Sequence, residues 1–114
     1  MKYMMLVIAD PEAAAEAEPR AEDWTIEQWL DDVAHRGKRI TGSQLRPTSD
    51  ATTVRVSRGQ LLVSDGPFVE SKEWICGFDI LECDDLDEAI AIAARHPQAN
   101  GGKLELRPFW TDEE

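Results

Sequence analysis

The fold is decided by a strand–helix stretch at residues 74–97, which reads WICGFDILECDDLDEAIAIAARHP. Its first part, Trp74–Cys83, predicts a long strand, and Asp84 or Asp85 then caps a helix. Apolar residues follow at helical spacing: Leu86, Ala89, Ile90 and Ala93. His96-Pro97 ends the helix, because the residue before a proline disfavours helical backbone.

A second strand–helix unit opens the chain. The apolar run Tyr3–Ala9 is typical of a central strand covered on both faces. Asp10–Asp23, rich in Ala and Glu, is predicted to be a loop that can hold a helical turn. Thr25 begins the helix because it forms a capping box with Gln28, and Gly37 ends the helix. The face turned to the core is predicted to hold Ile26, Trp29, Leu30 and Val33.

The remaining segments are strands. Arg39–Leu45 forms a short one, and Thr52–Val56 and Leu61–Val63 form a hairpin around the turn Ser57–Gln60. Lys103–Arg107 alternates strictly and ends the series, with its two leucines on one face. The order β-α-β-(hairpin)-β-α-β predicts a ferredoxin-like α+β fold: an antiparallel sheet with two helices on one face and an inserted β-hairpin.

Length then limits how this sheet is covered. With 114 residues the chain makes one domain, expected over residues 1–110, followed by an acidic C-terminal tail at 111–114. Nothing remains to cover the second sheet face. We therefore expect a homodimer in which two sheets pack face to face and enclose a cavity. Glu105 and Arg107, opposite the leucines of the last strand, would point into this cavity or toward its rim.

Charge narrows the possible partners. The formal net charge of −11 argues against direct binding to nucleic acid or anionic membrane, since both need cationic surface. Residues 1–34 carry −7, residues 35–60 carry +5 and residues 61–114 carry −9. The basic segment either binds an anion, offsets neighbouring carboxylates or docks on an acidic surface of a partner. Its cations are Arg36, Lys38, Arg39, Arg46, Arg55 and Arg58.

Location follows from the apolar runs and the cysteines. No run is long enough for a membrane-spanning helix, and Tyr3–Ala9 is too short for a signal-peptide core, so a cytoplasmic protein is expected. Cys76 and Cys83 lie about 23 Å apart if they share one strand, too far for a disulfide. Both are predicted to be reduced thiols.

The stretch VSDGPFVESKE at residues 63–73, with Gly77-Phe78 and then Glu82–Ala89, resembles the DGPF-domain family of the YCII-related superfamily. Thr52–Arg55, His96-Pro97 and Glu105–Pro108 match further family motifs. The resemblance implies a ferredoxin-like subunit in a dimeric α+β barrel. Family members are mostly of unknown activity. Related barrels include small isomerases, monooxygenases and dechlorinase-like enzymes, and some relatives accompany extracytoplasmic-function sigma factors.

Candidate site residues cluster around the DGPF motif. Asp65 is a candidate general acid/base beside Phe68 as an apolar wall, because desolvation raises the pKa of a carboxylate; the alternative is that Asp-Gly-Pro only makes a turn. Glu70 and Lys72, with Glu73 beside them, could grip a polar ligand group between them, or form a solvated loop or an intersubunit ion pair.

Four other candidates lie on the last strand and at helix ends. Arg107, paired with Glu105, could bind a substrate carboxylate if its face lines the cavity, or mark an ordinary edge if it faces solvent. His35 and His96 sit at helix C-termini, where the helix dipole favours cations. No residue spacing suggests a metal site, and no glycine-rich phosphate loop follows a strand, so no metal or cofactor is predicted.

Two functions follow from these residues. The first is a homodimeric small-molecule-binding protein or enzyme that holds a small polar organic ligand at Asp65, Glu70, Lys72 and Arg107. The alternative is a non-enzymatic accessory or regulatory module that contacts a protein such as an extracytoplasmic-function sigma factor.

Overall fold

Three α-helices and six strands follow one another along the chain in a computed structural model that describes residues 1–67 and 69–111. Phe68 and residues 112–114 of the predicted tail lie outside the described residues. The elements are β1 (Lys2–Ala9), α1 (Pro11–Glu16), α2 (Ile26–His35), β2 (Arg39–Gln44), β3 (Thr52–Ser57), β4 (Gln60–Asp65), β5 (Trp74–Glu82), α3 (Leu86–Arg95) and β6 (Gly102–Pro108). Short 3₁₀ turns occupy Thr48–Asp50 and Pro97–Ala99.

The sheet has the ferredoxin-like strand order. Four strands form one antiparallel sheet in the order β2-β5-β1-β6, while β3 and β4 form a separate two-stranded sheet. The first and last strands of the fold are therefore neighbours, and the helices α2 and α3 are the two crossovers. The predicted ferredoxin-like α+β fold with an inserted hairpin is confirmed.

The core lies between the sheet and the two long helices. Alternate residues of β1, namely Tyr3, Met5 and Val7, are buried under the helices, and Leu104 and Leu106 of β6 pack against the same core. From α2 the core receives Trp29, whose indole N–H donates to the Ile92 carbonyl oxygen at 2.9 Å. This bond ties the two long helices together.

Local signals explain how α2 begins and ends. Thr25 Oγ1 accepts from the Gln28 amide at 3.2 Å, and the Gln28 side chain accepts from the Thr25 amide at 2.8 Å, so the predicted capping box is confirmed. Gly37 takes a φ of +65° after the helix. Trp29 and Val33 are buried as predicted, whereas Ile26 is 39% exposed.

Two expectations about helices need correction. The helical turn expected between Asp10 and Asp23 is a six-residue helix, α1, capped by Asp10. In α3 the apolar positions at helical spacing are only partly buried: Leu86 and Ile90 are about half exposed, and Ile92 is buried with Ala89 and Ala93. The alternating Ala and Ile residues of α3 give two apolar faces of similar strength, and packing against α2 selects the one with Ile92.

The second sheet face carries apolar side chains with no helix over it among the described residues. In the register of β1 with β5, Met4 lies opposite Ile80 and Leu6 opposite Phe78, and all four are partly exposed. On the neighbouring strand β6 the same face carries Lys103, Glu105 and Arg107. We call this surface the open face.

The hairpin of β3 and β4 projects from the rest of the fold as an arm, residues 52–65. Its chain enters and leaves side by side, because the Gly66 amide donates to the Ala51 carbonyl oxygen at 2.7 Å. At its tip, Arg58 and Gly59 both have positive φ, 52° and 77°, which is the geometry of a tight two-residue hairpin turn.

The helices found among the described residues are all too short or too polar to span a lipid bilayer.

Candidate functional site

The structure places the predicted site residues in three separate regions. Asp65 is at the base of the arm, where it pairs with Thr52 at the end of β4. The following Gly66 has a φ of +93°, and its carbonyl accepts from Thr53 Oγ1 at 2.8 Å. Gly66 thus has the positive φ that the turn alternative for Asp-Gly-Pro requires. The acid/base role of Asp65 stays a prediction.

Two residues of the charged loop before β5 contact different parts of the chain. Lys72 points to Glu12 of α1 with a separation of 3.5 Å, and both side chains are exposed. Glu73 forms a close ion pair with Lys103 of β6, which also lies 3.7 Å from Asp10. The pKa of Lys103 is raised, chiefly by its hydrogen bond to Glu73. Glu70 borders a groove beside Glu73 and Trp74.

On β6, Glu105 and Arg107 lie on the open face as the alternation predicted. Their side chains approach to 3.7 Å and are largely exposed, 51% and 73%. Together with Lys103 and Glu73 they form a polar row along one edge of the open face. The row could contact a ligand only if a second surface covered that face.

A different site lies on the helix side of the sheet. A half-open pocket of about 490 Å³ is bounded by β2, β5, α2 and the turn after α3. We call it the helix-side pocket. Its lining combines apolar and polar residues: Val7, Trp29, Leu30, Arg39, Cys76, Asp79, His96 and Gln98.

The Arg39–Asp79 pair is the charged feature of this pocket. Asp79 is only 6% exposed, and its Oδ1 accepts from Arg39 Nε at 2.6 Å. Burial raises the pKa of Asp79, an effect that the neighbouring Arg39 guanidinium opposes. Gly42, opposite Asp79 on β2, leaves room for the pair, because a Cβ there would collide with Asp79 Oδ1.

His96 contributes a neutral ring to the same pocket. It is 8% exposed, packs edge-on against Trp29 with ring centroids 4.8 Å apart, and its Nδ1 accepts from the Gln98 amide at 3.0 Å. Burial lowers the pKa of His96 to about 4. The proposed role of His96 as a cation at a helix C-terminus is therefore wrong, because the ring is uncharged near neutral pH and carries its proton on Nε2.

The two cysteines are free thiols, as predicted. Cys76 Sγ donates to the Val7 carbonyl oxygen at 3.5 Å, and burial raises the pKa of both thiols. Lys38 and the N-terminal ammonium lie near Cys83 and would lower its pKa, but burial and the Glu88 carboxylate outweigh them. In the pocket Cys76 is a small apolar wall.

Most cations of the basic segment neutralise carboxylates of the same chain. Arg36 pairs with Asp32 at 2.7 Å and Lys38 with Glu88 at 2.9 Å, and Arg39 and Arg46 also have acidic partners. Within residues 1–67 and 69–111, Arg55 and Arg58 of the arm form no ion pair. Four cations of the basic segment therefore offset neighbouring carboxylates, and the other two project outward.

Sequence reasoning did not select Asp79, and it named Arg39 only as one cation of the basic segment. Asp79 is the one charged residue inside the apolar run Ile75–Leu81, and such an interruption in a central strand marks a buried charge that needs a partner. Arg39 lies forty residues away, and only the pairing of β2 with β5 brings the two together.

These features define the class of protein. It is a ferredoxin-like α+β protein with an Arg–Asp ion pair in a pocket between helix and sheet. The chain belongs to the YCII-related family, whose model matches residues 1–111. It is also similar to an uncharacterized protein of Rhizobium meliloti, with 37% identity over 115 aligned positions that cover 96% of this chain and 92% of the relative. The relative carries no assigned activity to transfer.

Proposed function

We propose that the protein binds a small organic molecule in the helix-side pocket, with Asp79 as the group that exchanges a proton or a hydrogen bond with it. The observation that supports this is the buried Arg39–Asp79 pair in the wall of a pocket of about 490 Å³. Ligand pockets commonly have volumes of roughly 300–1,000 Å³.

Stability alone does not explain the pair. A buried ion pair contributes little net stability, because desolvation offsets most of the attraction, and apolar residues of the same volume often serve equally well. Asp79 also has a raised pKa, a common property of groups that transfer protons. A role in ligand binding accounts for both the pair and its position at the pocket.

The lining indicates the chemistry of the ligand. Val7, Trp29 and Leu30 supply apolar contact, Arg39 supplies hydrogen-bond donors, and Asp79 supplies an acceptor. An apolar body with one carbonyl, carboxyl or hydroxyl group fits this set.

Ligand-observed NMR with small aromatic and aliphatic carboxylic acids and amides tests the proposal. We expect saturation transfer to a subset of these compounds, lost in Gln44→Trp, which fills the pocket mouth from β2, and kept in Ile40→Trp on the same strand. Asp79→Asn should weaken binding and change its pH dependence while Glu105→Gln does neither. Equal binding by wild type and Gln44→Trp would place the ligand elsewhere.

We further propose that a second copy of the chain covers the open face and that the chain is of the DGPF type within its family. The apolar side chains Met4, Leu6, Phe78 and Ile80 on a face without helices support the dimer. Sedimentation equilibrium should show a dimer at micromolar concentration that Ile80→Lys dissociates, with Thr111→Lys as the control. A wild-type monomer would contradict the dimer and leave the pocket proposal standing.

A further inference from the structure

The arm has an apolar face that the single chain leaves open. In the register of β3 with β4, Val54 lies opposite Val63 and Val56 opposite Leu61, so these four side chains share one face. They are 59–69% exposed, more than any apolar residue of the core sheet. The other face carries Arg55 opposite Leu62, which is 38% exposed.

A two-stranded hairpin with such a face is marginally stable in water by itself. Covering these four aliphatic side chains would stabilise the arm, because it removes apolar surface from water. The arm has β geometry over two six-residue strands in full register, and its apolar face has no cover among the described residues.

Charge indicates an acidic partner surface. The arm has a net charge of +1, whereas the rest of the chain has −12. Arg55, on the other face, and Arg58, at the tip, are the two cations of the basic segment without an acidic partner among the described residues, and only Arg58 borders the apolar face. Arg58 also holds a φ of +52°, where Asn or Gly is less strained, so this arginine is kept at a conformational cost. A second copy of this chain supplies acidic surface.

The areas of the arm and of the open face also favour a second copy of this chain as the partner. Strands rise ~3.3 Å per residue and lie ~4.8 Å apart, so one face of the arm has a flat area of roughly 200 Å² and the open face roughly 440 Å². These values leave out the extra surface of the protruding side chains. A stable interface buries about 800 Å² per partner. Neither surface reaches this alone, and the two together approach it.

We propose that the arm is a dimerisation element: the face formed by Val54, Val56, Leu61 and Val63 packs on a second copy of this chain, continues the open-face interface, and brings Arg58 at the tip against carboxylates of that copy. The inference rests on the open-face dimer proposed above and extends it to a surface outside the four-stranded sheet. Each subunit thereby covers part of the other beyond the sheet edge.

The matched pair Leu61→Lys and Leu62→Lys tests the inference, since the two leucines are neighbours on opposite faces of β4. We expect Leu61→Lys to raise the dimer dissociation constant at least ~10-fold, because the interface would bury an unpaired ammonium, and Leu62→Lys to change it less than ~3-fold. Sedimentation velocity gives the constants. Circular dichroism checks the fold, which neither exposed position should disturb.

Photocrosslinking adds a contact readout that does not depend on affinity. Benzoylphenylalanine at position 61 in the purified full chain should join two copies carrying tags of different mass, and at position 62 it should not. A dimer that Leu61→Lys leaves intact, with no crosslink from position 61, overturns the arm contact while the open-face dimer stands. A monomeric wild type, or an arm that crosslinks only to another protein, overturns the inference.

Discussion

Gly42 controls the geometry of the Arg39–Asp79 pair. A Cβ at this position would collide with Asp79 Oδ1 and lie 2.5 Å from the Phe78 carbonyl oxygen, which belongs to the paired strand and cannot move aside. We predict that Gly42→Ala lowers the free energy of unfolding by about 1–3 kcal/mol, as overpacking does. Urea denaturation followed by tryptophan fluorescence measures the change.

Thr41→Ala is the control for Gly42→Ala, since Thr41 is exposed on the same strand. Its effect should stay within about 0.5 kcal/mol. If the two variants have equal stability, Gly42 is not needed to accommodate the pair, and the geometry assigned to Asp79 is wrong.

His96 makes stability depend on pH. Its pKa is lowered to about 4 in the folded protein, against 6.5 for an exposed histidine. Below pH 6.5 the unfolded chain takes up a proton that the folded chain refuses until about pH 4, so stability falls as the pH falls through this window. We predict that His96 accounts for a loss of about 2 kcal/mol between about pH 7.5 and about pH 5.

Denaturation of His96→Gln across this range should show a correspondingly flatter pH profile than the wild type. His35→Gln changes an exposed histidine at the end of α2 and should keep the wild-type slope. The comparison of slopes isolates His96 from carboxylates that titrate in both proteins. A wild-type slope in His96→Gln would show that the ring is charged or accessible in the folded state.

At the scale of elements, Trp29 joins the two long helices. Its indole N–H satisfies the carbonyl of Ile92, one of the last four carbonyls of α3, which have no partner within the helix. Trp29→Phe leaves that carbonyl buried and unpaired. We predict a loss of about 1–3 kcal/mol in the free energy of unfolding, measured in urea.

The matched control is Trp24→Phe. Trp24 is partly buried, with the Arg95 guanidinium 3.8 Å above its ring, and Phe keeps an aromatic face for that contact. Its cost should be below about 1 kcal/mol. Equal losses in both variants would assign the effect to ring size and not to the bond with Ile92.

Local signals made the elements predictable, whereas tertiary partners did not follow from sequence. The Thr25–Gln28 capping box and the Arg58-Gly59 turn act within a few residues, so both were readable. Helical spacing in α3 picked out Ile90 and not Ile92, because the two side chains are chemically equal and only packing in the folded protein buries Ile92. Asp79 needed a partner forty residues away, and the neutrality of His96 depends on burial that no local pattern encodes.

At the scale of the whole molecule, the chain consists of a ferredoxin-like body and an arm that is separable from it. The body keeps its own sheet and core, and β3 and β4 pair only with one another in the described sheets. Their apolar residues are absent from the core. The core of the single chain is therefore formed by the body and not by the arm.

Removal of the arm should leave the body folded. Ala51 and Gly66 are already joined by a hydrogen bond of 2.7 Å, so replacing residues 52–65 with Asn-Gly makes them positions i and i+3 of a tight turn. We predict a cooperative thermal transition within a few degrees of that of the dissociated wild-type chain, and a dimer weakened at least ~10-fold relative to the full chain.

A control that extends the tip with one added glycine after Gly59 should leave both properties unchanged. Loss of cooperative unfolding in the arm-deleted chain would show that the arm belongs to the folding unit of the body, and an undiminished dimer would show that association depends on the open face alone.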